Sequence, residues 1–182
     1  MRINKLPSKL GRVLVCIDSA NVAIGLRNHG LALDYAECVG VIRRLDPKAR
    51  IIYYGPKFIE AGHQRFLGFL KKLGLKLRTK EVKVIRDGGE DHRKANFDVE
   101  LAVDVIDLSK TYDTLLLLSG DSDFVVLVRY LHQKGKKTFV LSTRGSVAKE
   151  LVDESDGYLV LNEWKKVVRP YRKNHPAVKR GN

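Results

Sequence analysis

Cysteine, tryptophan and methionine are scarce in this 182-residue chain, and acidic residues are outnumbered by basic ones. The cysteines are Cys16 and Cys38, and two isolated cysteines supply neither a disulfide framework nor a zinc site. Cys16 lies within an apolar run, as a core thiol would. The sequence therefore predicts a reducing, cytoplasmic environment.

Long apolar runs are also missing from the sequence. A membrane-spanning helix needs about 20 apolar residues, and the strongest apolar segments, such as residues 115–118, are far shorter. Residues 1–12 are basic, are interrupted by Pro7 and lack the apolar stretch of a secretory signal. We expect no membrane partner.

Positive charge is what the chain has in excess, since 34 Lys and Arg against 21 Asp and Glu give a net charge of +13. Such an excess favours a polyanion partner, although solvated lysines alone would also produce it. From Lys165 onward the sequence carries cations without acids. We therefore predict a basic N-terminal extension at 1–11, one domain at 12–164 and a mobile basic tail at 165–182.

Short β-rich runs alternate with amphipathic segments of helical length, which predicts a parallel α/β fold. Predicted strands lie at 13–17, 50–54, within 75–85, and at 114–118, 138–141 and 158–161. Predicted helices begin at Ser19 and lie at 34–45, 59–73, 97–108, 122–133 and 146–154. A polar loop is expected over 86–96. The helix at 97–108 is expected to place four apolar residues inward, namely Val99, Ala102, Val103 and Ile106.

Acidic side chains follow two of the predicted strands. Asp18 comes one residue after strand one, and Asp121 and Asp123 come just after strand four. Asp98 begins the helix before strand four. Ligands bind beyond the carboxyl ends of parallel strands. If strands one and four are neighbours, these carboxylates share a crevice, where a divalent cation would offset their repulsion. Helix capping is the alternative for Asp98, Asp121 and Asp123, and it contributes only about 1 kcal/mol each.

Three neighbouring polar residues are candidates for substrate binding. Asn21 could fix the Asp18 carboxylate or a phosphate, or act as a turn residue. Ser119 could orient a phosphate or a carboxylate, or cap a helix. Lys94 could neutralise a phosphate, and a solvated loop lysine is its alternative.

Four segments carry a family resemblance: 16–21 (CIDSAN), 94–99 (KANFDV), 101–104 (LAVD) and 119–124 (SGDSDF). In this order they resemble the NYN domain of the LabA-like family, a branch of the PIN-like nuclease superfamily. The resemblance implies a PIN-like three-layer sandwich, a mainly parallel sheet with central order 3-2-1-4-5, and Mg²⁺- or Mn²⁺-dependent hydrolysis of RNA. It places the acidic positions at Asp18, Asp98, Asp121 and Asp123. Asp104 matches a further helix acid, which we expect outside the metal site.

The favoured hypothesis is a metal-dependent ribonuclease whose four aspartates hold Mg²⁺ or Mn²⁺ and whose basic residues track the RNA backbone. Expected backbone contacts are Lys71, Lys72, Lys76, Arg78, Lys80, Lys83 and the basic tail. A non-catalytic RNA- or protein-binding module is the alternative. A phosphatase fits less well because strand one lacks the Asp-x-Asp that a haloacid dehalogenase places there. A homodimer is compatible with the sequence, but no feature requires one.

Overall fold

The central layer of the protein is a parallel sheet of seven strands. The computed structural model describes residues 1–3, 5–81, 83–87, 90–94 and 96–172, with side chains left out between 82 and 95. The strands are β1 (Arg2–Ile3), β2 (Val13–Asp18), β3 (Leu31–Leu33), β4 (Arg50–Lys57), β5 (Lys76–Glu81), β6 (Lys83–Asp87), β7 (Glu90–Lys94), β8 (Thr114–Leu118), β9 (Lys137–Ser142), β10 (Gly157–Val160) and β11 (Val168–Pro170).

Six helices cover the two faces of this sheet. They are α1 (Ser19–Arg27), α2 (Tyr35–Leu45), α3 (Ala61–Lys72), α4 (Asp98–Asp107), α5 (Val125–Gln133) and α6 (Lys149–Glu154). A 3₁₀ turn, Ser122–Phe124, precedes α5. Residues of α1, α2 and α3 share one buried cluster, and residues of α4, α5 and α6 share the other. The protein is therefore a three-layer α/β sandwich.

The order of strands in the sheet is β1-β10-β9-β8-β2-β4-β5, and each pair within it is parallel. The predicted central order, 3-2-1-4-5, corresponds to β5-β4-β2-β8-β9 and is confirmed. The central strands are buried on both faces, as continuous apolar runs require: residues 14–17 of β2 and 115–118 of β8 are at most 1% exposed. Because β2 and β8 are neighbours, their carboxyl ends meet.

The second predicted strand extends further than its sequence suggested. We expected Gly55 and Pro56 to end it, but β4 continues to Lys57. Beyond Tyr54 the strand pairs with β5, whereas β2 ends opposite Tyr54. Pro56 therefore sits where β4 has one neighbour, which is the edge-like position that a strand proline tolerates.

The prediction of a polar loop over 86–96 is wrong, because most of these residues belong to strands. Strands β6 and β7 form an antiparallel hairpin in which Lys83 pairs with Lys94 and Asp87 with Glu90. Charged residues hid the alternation that usually identifies a strand. The two glycines between these strands in sequence match the composition of tight hairpin connections.

Helix α4 faces the core through other residues than those predicted. Leu101 and Val105 are fully buried, whereas Val99 is 73% and Val103 58% exposed. Ile106 is exposed as well, and Ala102 is only partly buried. The apolar residues of this helix are distributed over more than one side, so the hydrophobic pattern alone does not determine which side faces the core. Ion pairs from its acids to Arg78 and Lys80 turn one side of the helix toward β5.

Both terminal segments contact the domain. Strand β1 pairs with β10, and Leu6 and Leu10 are buried although they fall in the predicted extension. Residues 165–172, predicted as tail, lie against the domain: Val167 is fully buried, and β11 pairs with β3. The rest of the predicted tail, 173–182, is outside the described residues.

Candidate metal centre

Two neighbouring strands deliver acids to the same edge of the sheet. Asp18 is the last residue of β2, and Asp121 follows β8 after two residues. Ile17 pairs with Leu118, so the two strands end side by side. Asp98 enters from the first turn of α4, and Asp123 lies in the 3₁₀ turn. The structure therefore places all four aspartates near the carboxyl ends of β2 and β8.

Three of these acids form a compact group. Asp98, Asp121 and Asp123 each offer a carboxylate oxygen, and these oxygens all lie within 4.8 Å of one another. Asp98 and Asp121 are half-buried, and Asp123 is exposed. Carboxylate oxygens are the ligands that Mg²⁺ prefers, and one or two of them with several waters suffice for it. This donor set fits a small divalent cation.

The electrostatics of Asp98 reflect this crowding. Partial burial raises the pKa of the Asp98 carboxyl, the side chain of Asn96 lowers it, and the nearby charges of Asp121 and Asp123 raise it further. Like charges at this separation disfavour simultaneous ionisation, and a cation between them removes the conflict. The backbone N–H of Asp98 donates to Oδ1 of Asn96 at 2.9 Å, which fixes the start of α4.

Asp18 lies beside the group of three. Its Oδ1 accepts from the backbone N–H of Asn21 at 3.2 Å, so that it caps α1, and its Oδ2 accepts from the Ser119 hydroxyl at 3.0 Å. Burial raises the pKa of Asp18, these two hydrogen bonds lower it, and the charges of Asp98 and Asp121 raise it again. Asp18 is therefore oriented by the protein and electrostatically connected to the group.

Short polar contacts fix the loop that carries Asp121. Ser119 is fully buried, and its hydroxyl accepts from the backbone N–H of Asp121 at 3.3 Å while donating to Asp18. The side-chain oxygen of Asn21 accepts from the N–H of Gly120 at 2.9 Å. Asp121 in turn accepts from the N–H of Asp123 at 3.0 Å. Both bonds of Ser119 thus support the carboxylates, and Asn21 joins α1 to the loop after β8.

Lys94 and Asp104 are the other residues that the sequence analysis considered. Lys94 belongs to β7, and its side chain is outside the described residues. Asp104 faces β5, where it accepts from Arg78 at 2.6 and 2.7 Å and from the Tyr54 hydroxyl at 3.0 Å. The guanidinium of Arg78 lowers the pKa of Asp104. This acid therefore joins α4 to the sheet.

Replacing Asp104 by asparagine is expected to weaken the fold and to leave the affinity for Mn²⁺ unchanged. The change removes one partner of Arg78 and Tyr54, so we expect a loss of about 1–2 kcal/mol in the free energy of unfolding. Urea unfolding measures that loss, with Asp153→Asn on the exposed face of α6 as the control. A loss of Mn²⁺ affinity as large as that of Asp98→Asn would instead place Asp104 at the metal centre.

The sequence interpretation missed Asn96 and the partners of Asp104. Asn96 stands two residues before Asp98, and this spacing is typical of an Asx turn, so a local signal was available. The pairing of Arg78 with Asp104 joins residues 26 positions apart on a strand and a helix. No local pattern predicts such a pairing.

The sheet order and the aspartates at its carboxyl edge define a parallel α/β domain with an acidic group where two neighbouring strands end. Residues 12–162 match the family model of the NYN domain. The chain belongs to the NYN domain family.

Two relatives bear on this assignment. The "Low amplitude and bright protein LabA" of Synechococcus elongatus is 28% identical over 173 residues, which cover 92% of each chain. The crystal structure of a protein of unknown function from Vibrio parahaemolyticus is similar to the structure of this protein, with a TM-score of 0.76 and 21% sequence identity. The similarity covers 91% of this chain and 100% of that chain, and it supports the fold alone. Among the described residues, no helix has the length and apolar character that crossing a membrane requires.

Proposed function

We propose that this protein is a metal-dependent ribonuclease that hydrolyses RNA phosphodiester bonds with Mg²⁺ or Mn²⁺. The observation that carries the proposal is the group formed by Asp98, Asp121 and Asp123, whose oxygens lie within 4.8 Å of one another. Membership of the NYN domain family, a PIN-like nuclease family, supports the same chemistry. Proteins hold such acids together at a strand edge at an electrostatic cost, which a bound cation offsets.

The aspartates have different parts in this proposal. Asp98 and Asp121, both half-buried, and the exposed Asp123 would hold the cation through their carboxylate oxygens. Asp18, held by Ser119, faces the group from β2 and adds negative charge. When bound, the cation supplies a Lewis acid and an activated water for attack on phosphorus. Cleavage by this route leaves a 5′-phosphate and a 3′-hydroxyl.

Positive charge outside the group would hold the RNA backbone. The net charge of +13 provides the general attraction. Within the predicted basic stretch, Arg78 and Lys80 are engaged by Asp104 and Glu100, while Lys71, Lys72 and Lys76 are exposed. The exposed lysines are therefore better placed to contact phosphates. A cytoplasmic location, suggested by two buried free cysteines, is part of the same proposal.

The decisive experiment is cleavage of labelled single-stranded RNA and DNA by the full chain with Mg²⁺, Mn²⁺ or EDTA. We expect RNA cleavage in either metal and a loss of at least about a hundredfold in EDTA, since metal assistance contributes several kcal/mol to the barrier. End-group analysis of the products should show 5′-phosphates.

Variants separate the enzyme from the non-catalytic alternative. Asp18→Asn and Asp121→Asn should both lose cleavage, and activity that survives in both would come from another site or a contaminant. Salt-sensitive RNA binding by the wild type without any metal-dependent product would contradict the proposal and favour a binding module of the same fold.

A further inference from the structure

An open groove of about 640 Å³ lies on the opposite face of the sheet from α4, and Ser19, the residue after Asp18, is part of its lining. Its walls come from α1, β3, the start of α2, β4 and the residues after it, α3, β11 and Tyr171. Aromatic rings dominate one wall. They belong to Tyr35, Tyr53, Phe58, His63 and Phe66.

The aromatic rings hold one another in fixed orientations. Tyr35 and Phe66 pack edge to face with centroids 5.4 Å apart, and Phe58 meets His63 at 4.9 Å. The His63 ring also hydrogen-bonds the backbone oxygen of Pro56 at 2.9 Å. Such an arrangement is preorganised, so a flat ligand that stacks here orders few side chains on binding.

The other wall carries cations. Arg27 and Arg169 both line the groove, and the Arg27 guanidinium lies 5.2 Å from the ring centroid of Tyr171. Tyr171 is 37% exposed, and its backbone N–H bonds the oxygen of Gly30 at 2.8 Å. None of the described residues that line the groove is an acid. The groove thus combines ring faces with positive charge.

Chain connectivity joins the groove to the metal centre. Ser19 lines the groove and directly follows Asp18. The Ser19 hydroxyl and the Tyr53 ring both pass over Gly55, where an added Cβ would lie 2.6 Å from the Tyr53 hydroxyl. A ligand in the groove therefore lies next to the strand end that presents Asp18.

We propose that this groove binds an unpaired base of the RNA next to the phosphate that the aspartates receive. The inference rests on the proposed ribonuclease function and adds to it a subsite that holds a base. Aromatic rings with neighbouring arginines are the usual platform for single strands, because every base offers a ring face. A duplex keeps its bases stacked within the helix and cannot offer such a face. An apolar peptide would not use the two arginines.

The test measures binding apart from cleavage. Fluorescence anisotropy in EDTA gives the Kd of an eight-nucleotide single-stranded RNA, of the same backbone without bases, and of a duplex of equal length. Tyr171→Ala and Phe58→Ala should raise the Kd of the single strand about tenfold and leave that of the baseless backbone unchanged. Arg169→Ala should weaken both single-stranded ligands.

Matched controls are available in the chain. Phe69→Ala removes an aromatic ring of α3 that is 43% exposed and outside the groove. Lys137→Ala removes one positive charge at the opposite edge of the sheet, where β9 begins. Both should change the Kd of the single strand less than twofold.

Hydrolysis of bis(p-nitrophenyl) phosphate with Mn²⁺ reports on the metal centre alone. Normal hydrolysis by Tyr171→Ala and Phe58→Ala together with weaker binding of the single strand would support the inference. An unchanged Kd in both variants, or equal affinity of the wild type for the baseless backbone, would overturn it while the ribonuclease proposal stands. Base-dependent binding without hydrolysis would remove the ribonuclease proposal and keep the groove as an RNA site.

Discussion

Asp98→Asn is expected to lower metal-dependent RNA cleavage by at least about a hundredfold, because metal assistance contributes several kcal/mol and each 1.36 kcal/mol is a factor of ten. The carboxylate of Asp98 approaches those of Asp121 and Asp123 within 4.8 Å. Asparagine keeps the size of the side chain and the start of α4, so the change removes charge with little effect on shape. Calorimetric titration with Mn²⁺ should show a matching loss of affinity.

The control for this change lies on the same helix. Asp107→Asn removes an exposed acid at the last residue of α4, outside the group of three. It should leave both cleavage and Mn²⁺ binding within twofold of the wild type. If Asp98→Asn cleaves RNA as fast as Asp107→Asn, the group of three is not the metal centre of the proposed reaction.

The position of the acids could be predicted because it depends on strand order and strand ends. Continuous apolar runs identified β2 and β8, and the rule that ligands bind past the carboxyl ends of parallel strands placed Asp18 and Asp121 together. Asp98 and Asp123 begin helical turns near those ends. The adjacency of these two strands came from the family resemblance, and with that adjacency the residue pattern places the acids at one edge.

The different contacts of the four aspartates could be recognised only from the three-dimensional structure. Asp18 resembles the others in sequence, yet it accepts hydrogen bonds from Asn21 and Ser119, while the oxygen group consists of the three other aspartates. These differences arise from distances of an ångström or two, which residue spacing does not encode. The role of each aspartate in catalysis stays a prediction for the variants to test.

The rotation of α4 and the aromatic groove could not be predicted for a related reason. Val99, Val103 and Ile106 follow a helical repeat as well as Leu101 and Val105 do, and long-range ion pairs to β5 decide between the two faces. The groove combines rings from residues 35–66 with Tyr171 and Arg169 from the C-terminal segment. Single aromatic residues on separate segments give no motif.

Gly120→Ala is expected to disrupt the metal centre without touching a carboxylate. Gly120 lies between Ser119 and Asp121, where its N–H donates to Asn21 and its carbonyl accepts from the N–H of Ala148 at 2.9 Å. An added Cβ would overlap the backbone oxygen of Ser146 and lie 2.8 Å from the Cα of Val147. Backbone atoms cannot rotate away as the end of a flexible side chain can, so the loop carrying Asp121 must shift.

We expect Gly120→Ala to lose about 1–3 kcal/mol of unfolding free energy, as overpacking usually costs, with a fall of about 2–4 °C in Tm for each kcal/mol. Cleavage should fall more than stability explains, because Ser119 and Asp121 move with the loop.

Gly68→Ala is the control: a Cβ there meets nothing within 4 Å, and alanine in the interior of α3 should stabilise the protein by about 0.5–1 kcal/mol. Thermal unfolding and RNA cleavage of both variants decide the matter, and normal cleavage by a stable Gly120→Ala protein would show that the loop tolerates displacement. That result would also show that the close packing around Gly120 is not what holds Asp121 near Asp98.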